Sequence, residues 1–501
     1  MANDKAVIKS LFGPSIELDD MVLEDLFKGT SSQLESKGEK TGRQYQNTLG
    51  TDYPFIIVNG YVFSVAEIIN FEIDANGFLP YIDLTISMSN TAGFKTTRFP
   101  KDGDIISVFI RAKNDAFKPI RNDYLITYVD SGPGSSEGRG STITLRGSLF
   151  IPHIDDEVIK SFEGTSVDVL QKICKELKLG FATNEDTTDD SQIWICPGDT
   201  LRNTITSIVD HAYKDEKSFF KCFIDVFYHL NFVNVNTQVA SEGKMSAAIL
   251  DIVFMKDDKP DMALEKSSQR QVKKFLCDMD NFKDTNMFIE TYTVQNKSSD
   301  ISKRWGYKTF AQFYDQQTQD TWSLYVDPIV TDGANDTAIL LKGRPYPKAA
   351  DGTAEEKYWE KQNKYVWLGV QSKNVHDMYL YSEIWNRRNL EELDKLYLEA
   401  HVTRWNPNIY RGEKIPILLH SFGDINDRVA NRTPNDANLP TNETAPTANQ
   451  FYSGYYMVDG IKLMYTISKT DTSSSPPPEG TPGMTQVFLL RRREWPIPAT
   501  G

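Results

Sequence analysis

Histidine is the side chain that acid–base catalysis and metal ligation draw on most, and this chain has six: His153, His211, His229, His376, His401 and His420. None stands in a His-Glu-x-x-His pair or at any other metal-ligand spacing. Asp210 precedes His211 and Asp377 follows His376, but adjacency in sequence does not aim a carboxylate at a ring nitrogen. His229 and His401 fall on the polar faces of alternating segments, where a solvated or hydrogen-bonded ring is the ordinary role. The four cysteines, Cys174, Cys196, Cys222 and Cys277, match no zinc or redox motif, so reduced and mostly buried thiols are expected.

Other chemistry is also missing from the sequence. There is no Gly-x-Ser-x-Gly elbow and no phosphate-cradling Gly-x-x-x-x-Gly-Lys-Ser/Thr. The glycines between Gly132 and Gly140 have the wrong spacing for a dinucleotide site and lie between two strands, which makes this stretch a flexible loop. Carboxylate pairs stay open, because 69 acidic residues offer many pairs and a sequence gives no geometry. Arg491, Arg492 and Arg493 form a basic cluster at a strand end. One reading is a solvated edge that blocks strand pairing, the other a salt-bridged contact between subunits. Trp495, just beyond, is costly to leave in water and favours packing or an interface. These four residues are the candidate interface; no catalytic, cofactor-binding or metal-binding set is expected.

The elements that carry these residues follow from composition and periodicity. The chain has 501 residues, 40% hydrophobic and 12% aromatic, with a formal net charge of −14. That is enough apolar material for sizeable cores and argues against a disordered chain. The acidic balance disfavours stable binding to duplex DNA or to an anionic membrane, since phosphate contacts need clustered Lys and Arg. No signal peptide is visible after Met-Ala-Asn-Asp-Lys, and no apolar run approaches the length of a bilayer span. The protein is expected to be made in a cytoplasm and to be soluble there.

Residues 1–50 are polar and weakly periodic and read as an N-terminal arm or adaptor segment. From 51 to 160, short β-rich segments (55–58, 61–65, 81–88, 105–110, 124–129 and 142–149) are separated by turn signals such as Asn59-Gly60 and Asp102-Gly103, the grammar of a barrel or sandwich. Residues 161–240 read as α+β. Thr165 caps a helix stopped by Gly180, Asp199 or Thr200 caps a second, and Phe220 to Phe232 alternates as one strand. Residues 241–370 are poorly assigned, a continuation or insertion of the middle region with β-like stretches at 249–255, 321–325 and 366–370. Residues 371–501 supply a helix from about His376 to Glu392, a strand from Lys395 to Thr403, and two low-complexity loops, 435–449 and 472–483.

A faint internal repeat joins the two ends of the chain. Gly103-Asp-Ile-Ile-Ser-Val-Phe-Ile110 lines up with Gly412-Glu-Lys-Ile-Pro-Ile-Leu-Leu419. Asp123 to Val129 lines up with Tyr455 to Ile461, and Ser141 to Pro152 with Thr485 to Pro496. One such block is what any strand after a turn looks like; three in one order imply two similar β-barrels flanking an α+β insert.

This order of elements resembles the baseplate (tail) hub proteins of tailed bacteriophages, the late-control D-like family that includes the hub part of type VI secretion spikes. The segments that carry the likeness are Phe55 to Gly60, Phe71 to Ile73, Leu79-Pro80, the Gly103 strand, Gly164 to Cys174, Phe223 to Val233, Ser453 to Val458 and Thr485 to Pro496. The likeness covers about residues 53–240 and 375–497; the first fifty residues and much of 240–370 exceed what a compact hub needs. The resemblance implies a mainly β fold with two hub-type barrels and a middle α+β domain. It also implies a homotrimer whose six barrels adapt the sixfold tail tube to the threefold central spike. The tube protein, the spike, other baseplate proteins and the tape-measure protein would then be its partners and the virion its location, with no cofactor and no enzymatic activity. No spike or peptidoglycan-cleaving domain follows Trp495, so another chain is expected to supply that part. The competing reading is a tail-associated, β-rich carbohydrate-active hydrolase using an unrecognised carboxylate pair. The repeat separates the two, because a symmetry adaptor needs it and a hydrolase does not.

Overall fold

A computed structural model of the chain describes residues 7–8, 16–17, 54–63, 67–87, 99–110, 120–133, 141–240, 276–277, 289–296, 309–315, 318–326, 364–371, 375–394, 396–402, 405, 409–418, 454–466 and 484–492. Within the expected arm it describes one short antiparallel pair, β1 (Val7–Ile8) on β2 (Ile16–Glu17). The rest of the arm, the segment 249–255 and the loops 435–449 and 472–483 lie outside the described residues. The fold is mainly β with a few helices. Among the described residues no helix is long and apolar enough to cross a membrane.

The first barrel comprises β3 (Phe55–Val58), β4 (Tyr61–Phe63), β5 (Ile68–Asp74), β6 (Tyr81–Ser87), β7 (Ile105–Ile110), β8 (Ile120–Pro133) and β9 (Ser141–Leu149). Period-two alternation drives it. In β6, Ile82, Leu84 and Ile86 are fully buried while Asp83 and Thr85 face outward, so a one-residue slip would expose the whole apolar set.

The middle domain follows as β10 (Glu157–Gly164), α1 (Ser166–Leu177), β11 (Gly180–Thr183), β12 (Gln192–Thr200), α2 (Leu201–Asp210), β13 (Phe220–Ile224), β14 (His229–Asn234) and α3 (Val235–Ala240). Thr165 and Asp168 form a reciprocal capping box at the start of α1, a device worth about 1 kcal/mol. The end of α1 corrects the sequence reading. Lys178 takes the left-handed conformation, with φ 56°, and closes the helix, whereas Gly180 already begins β11. Gly180 is needed for closeness instead, since a Cβ there would lie 2.2 Å from the His229 ring. A second correction concerns 220–232, which is a hairpin and not one strand. Oδ1 of Asp225 accepts from the N–H groups of Phe227 and His229 and folds a tight turn. Apolar alternation runs on across that turn, which is why periodicity alone hides it.

The chain continues through β15 (Leu276–Cys277), β16 (Ile289–Asn296), β17 (Thr309–Asp315), β18 (Thr321–Val326), β19 (Lys364–Gln371), α4 (Tyr379–Leu393), β20 (Leu396–Val402), β21 (Lys414–Leu418), β22 (Gly454–Thr466) and β23 (Thr485–Arg492). Strands β17, β18 and β19 make a separate small sheet. The others build the second barrel, whose core gathers Ile289, Leu398, Ala400, Ile415, Tyr456, Val458, Phe488 and Leu490. The first barrel shares one core with the middle domain.

The two barrels repeat each other strand by strand. The path β5-β6-β9-β8-β7 in one matches β16-β20-β23-β22-β21 in the other, and every neighbouring pair along both paths is antiparallel. Gly103 and Gly412, with φ of 88° and 89°, open the matching strands β7 and β21. Tyr124 opposite Ile106 corresponds to Tyr456 opposite Ile415, the alignment that the first two sequence blocks give. Two β-bulges also recur in place: one between Ile68 and Asn70 and between Ile289 and Thr291, another between Ile126 and Tyr128 and between Val458 and Gly460. The third sequence block is one residue out of step. Leu145 opposite Val129 matches Phe488 opposite Ile461, not Leu489. The bulges on β8 and β22 cancel, and the connections that precede β9 and β23 differ in length, so no local signal in the chain fixes this last register. Strand β16, from the region the sequence left unassigned, is the fifth strand of the second barrel.

Candidate functional site: a buried ionic junction

Strand β22 carries the junction of the two barrels. Beyond its bulge it leaves β21 and pairs with β5 of the first barrel, Lys462 opposite Asp74 and Thr466 opposite Asn70. The seam is ionic at the surface, where Nζ of Lys462 lies 3.1 Å from Glu72 and 3.3 Å from Asp74. It is tight beneath, because a Cβ on Gly460 would come within 1.8 Å of Oδ1 of Asn76.

The bulged residue is Asp459, buried at 6% exposure. Its carboxylate accepts from Lys221 of β13 and, at 2.9 Å, from Nε of Arg491 of β23. Arg491 also lies 3.4 Å from Asp394 at the end of α4 and sits over the Tyr397 ring, 5.0 Å from its centroid. Arg411, in the turn that leads into β21, donates to the backbone oxygens of Asp459 and Gly77 and, at 2.6 Å, to that of Asn76. Its guanidinium stacks 4.2 Å from the Phe223 ring centroid. Three cations and two carboxylates thus tie together the first barrel's hairpin, the middle domain, α4 and the second barrel.

Electrostatics follow from burial and pairing. Burial opposes ionisation of Asp459, but the charges of Lys221, Arg411 and Arg491 outweigh it and hold the carboxyl well below its usual range. Burial pulls the Lys221 ammonium down against Asp459. It likewise brings the Arg411 guanidinium to about 10, opposed by Asp459 and Asp74. Asp394 is pushed up by burial, with Arg491 and Lys221 acting the other way. Each charge here meets a partner, so the arrangement is a clamp; it presents neither a nucleophile with its base nor an open ligand position.

Of the four interface candidates, Arg491 pairs inside its own chain with Asp459 and Asp394. Arg492 pairs in the ladder opposite Leu396, and its side chain lies outside the described residues, as do Arg493 and Trp495. The sequence reading missed Lys221, Asp394, Arg411 and Asp459. One signal was available: Asp459-Gly460 ends the apolar run Tyr455 to Val458 inside a longer β-like segment, the mark of a bulge or a close backbone approach.

The histidines do other work. Nδ1 of His211 meets the Tyr379 carbonyl oxygen at 3.0 Å, and its ring stacks on the Tyr379 ring at 3.7 Å. Nε2 of His376 meets the His211 carbonyl oxygen at 3.0 Å. Asn386 of α4 donates to the carbonyls of Val209, Asp210 and Ala212, so α4 caps the open end of α2. His153 pairs with Asp156 at 2.7 Å, and His401 with Glu399 at 3.1 Å. His229 lies 3.5 Å from Asp225, and His420 is outside the described residues. Cys174 and Cys196 are buried and Cys222 partly so, all as free thiols; burial pushes the Cys174 thiol up to about 12. Among the described residues no group of three His, Cys, Asp or Glu is placed to hold a metal ion.

No family model matches the sequence, and no curated protein matches it. Solved structures do. A tail protein from Neisseria meningitidis is similar at TM-score 0.44 and 12% identity, covering 88% of this chain and 96% of its own. A 43 kDa tail protein of a Shewanella oneidensis prophage is similar at TM-score 0.45 and 12% identity, covering 88% and 98%. A Francisella PdpA-VgrG complex is similar at TM-score 0.38 and 10% identity, covering 95% of this chain and 64% of the other.

Proposed function

We propose that this chain is a structural, non-enzymatic hub of a tailed-phage baseplate. Three copies form a ring of six like barrels that adapts a sixfold tail tube to a threefold central spike. The observation that carries the reading is the repeat: matching strand order, two matching bulges and the same register in both barrels. A protein that must present six equivalent surfaces from three chains needs two equivalent modules per chain. The tube protein, the spike, other baseplate proteins and the tape-measure protein are its partners in this reading, and the assembled virion its location.

The ring must let a genome through without holding it. Every phosphate contact from Lys or Arg adds affinity through counterion release, so the channel lining is neutral or acidic on balance. A chain of net charge −14 whose Arg491 is already paired with carboxylates suits that demand. The test is the mass of the purified protein, with glycan, peptidoglycan and duplex-DNA assays beside it. Three chains per particle, no cleavage and no DNA retention at physiological salt support the hub. Turnover abolished by changing a single Asp or Glu replaces it with the hydrolase reading.

A further inference from the structure

Because the two barrels are copies, the contact between them inside one chain is a template for the contact between chains. Inside the chain, the far half of β22 pairs with β5. The equivalent of β22 is β8 and the equivalent of β5 is β16. Among the described residues, β8 from Val129 to Pro133 has a neighbour only on its β9 side, and β16 ends the sheet, paired with β20 alone. Among the described residues, each chain therefore holds one open copy of each half of the seam.

We propose that β8 of one protomer pairs antiparallel with β16 of the next, in the register of the internal seam. Lys462 opposite Asp74 and Met464 opposite Glu72 then place Asp130 opposite Gln295 and Gly132 opposite Thr293. The bond from the Ala75 N–H to the Ile461 oxygen, 2.9 Å, becomes one from the Asn296 N–H to the Val129 oxygen. The proposal rests on the ring reading and specifies its joint.

Burial supports it. From residue 291 to 295, β16 reads exposed, intermediate, exposed, intermediate, exposed, while positions 70 to 74 of β5 read intermediate, buried, intermediate, buried, intermediate. Each of these five positions of β16 is one step more open than its counterpart. On the other side, Ser131 is exposed where Leu463 is buried. Side-chain chemistry agrees as well. The Lys462, Glu72 and Asp74 triad becomes Asp130 beside Thr293 and Gln295, a carboxylate facing a hydroxyl and an amide that both donate. Thr291 to Asn296 also carries neither charge nor proline, the devices that keep an exposed edge from pairing.

The Ala75–Ile461 bond makes Lys462 and Asp74 a non-hydrogen-bonded pair, the closer kind in an antiparallel ladder and one whose Cβ separation suits a disulfide. The test is the full-length double variant Asp130→Cys/Gln295→Cys under mild oxidation, with the mass of the unmodified protein measured in parallel. The expected result is a covalent ladder ending at three times the 57.0 kDa chain, reversed by reductant and absent from either single variant. Val294→Pro, which removes an outward N–H on β16, is expected to lose the trimer while circular dichroism stays unchanged. A three-chain mass with no interchain disulfide in the double variant overturns this pairing and leaves the ring standing. A monomeric mass with no disulfide overturns both.

Discussion

Ile126 and Val458 occupy the same point of the two barrels. The Gly103 N–H donates to the Ile126 oxygen at 2.9 Å and the Gly412 N–H to the Val458 oxygen at 2.7 Å; in return, the Ile126 and Val458 N–H groups donate to Asp104 and Glu413. A bulge follows each. Both turns rely on a glycine at positive φ, and a Cβ would meet open space at Gly103 and only ordinary contacts at Gly412. Gly103→Ala and Gly412→Ala should therefore cost the same backbone strain, about 1–2 kcal/mol each. Urea unfolding checks this; a neutral or stabilising Gly103→Ala would show that the turn does not need glycine.

Asp459 pairs directly with both Lys221 and Arg491. Asp459→Asn would leave buried cations short of countercharge, a loss of about 3–5 kcal/mol for a broken buried pair. Lys221→Met should cost less, because Asp459 keeps Arg491. The folded pKa of Asp459 lies below the unfolded one, so its stabilisation is present above about pH 3.9 and fades as pH falls below that. Acid titration of Asp459→Asn should lack that part of the slope; an unchanged slope would mean the carboxylate is not held ionised.

Gly460 faces Asn76 across the seam of the barrels. Gly460→Ala should destabilise by about 1–3 kcal/mol through overpacking, and Asn76→Gly should restore most of it, since the three nearest atoms belong to the Asn76 side chain. A double-mutant cycle measures the coupling. Additive effects would show that the seam yields elsewhere.

How much of this was legible follows from which physics is local. Caps Thr165 and Thr200, the alternation of β6 and the two turn glycines are read within a few residues of chain, and they stand where the sequence places them. The two-strand break at Asp225 was not legible, because a side chain folding its own turn leaves the apolar period intact. Strand β16 was hidden for another reason: residues 297–395 separate it from β20, its ladder partner, and no local signal spans that insertion. The ionic junction is the extreme case. Lys221 and Asp459 are far apart in sequence, and only the fold of three segments brings them into contact. The arginine cluster pointed to the right strand end, but its partner could not be named.

The docking of α4 on α2 should respond to mild acid. Burial lowers the pKa of His211 and of His376, against hydrogen bonds to the Tyr379 and His211 carbonyls. The unfolded chain therefore binds protons on these rings more readily than the folded one. Their stabilisation is complete above the ordinary histidine pKa of about 6.5 and is lost as pH falls toward the folded values. Burial also raises the carboxyls of Asp394 and Asp123, so within the window from about pH 6.5 to pH 5 the comparison with a histidine variant isolates the effect. Urea midpoints should fall across that window, and His376→Gln should flatten the fall. Asn386→Ala should lower the midpoint by a similar amount at every pH, because it strips three carbonyls of their donor at about 1–3 kcal/mol without touching a proton. A midpoint that does not move between pH 7.5 and pH 5 in the unmodified protein would mean that both rings take up protons in place, with α4 still docked.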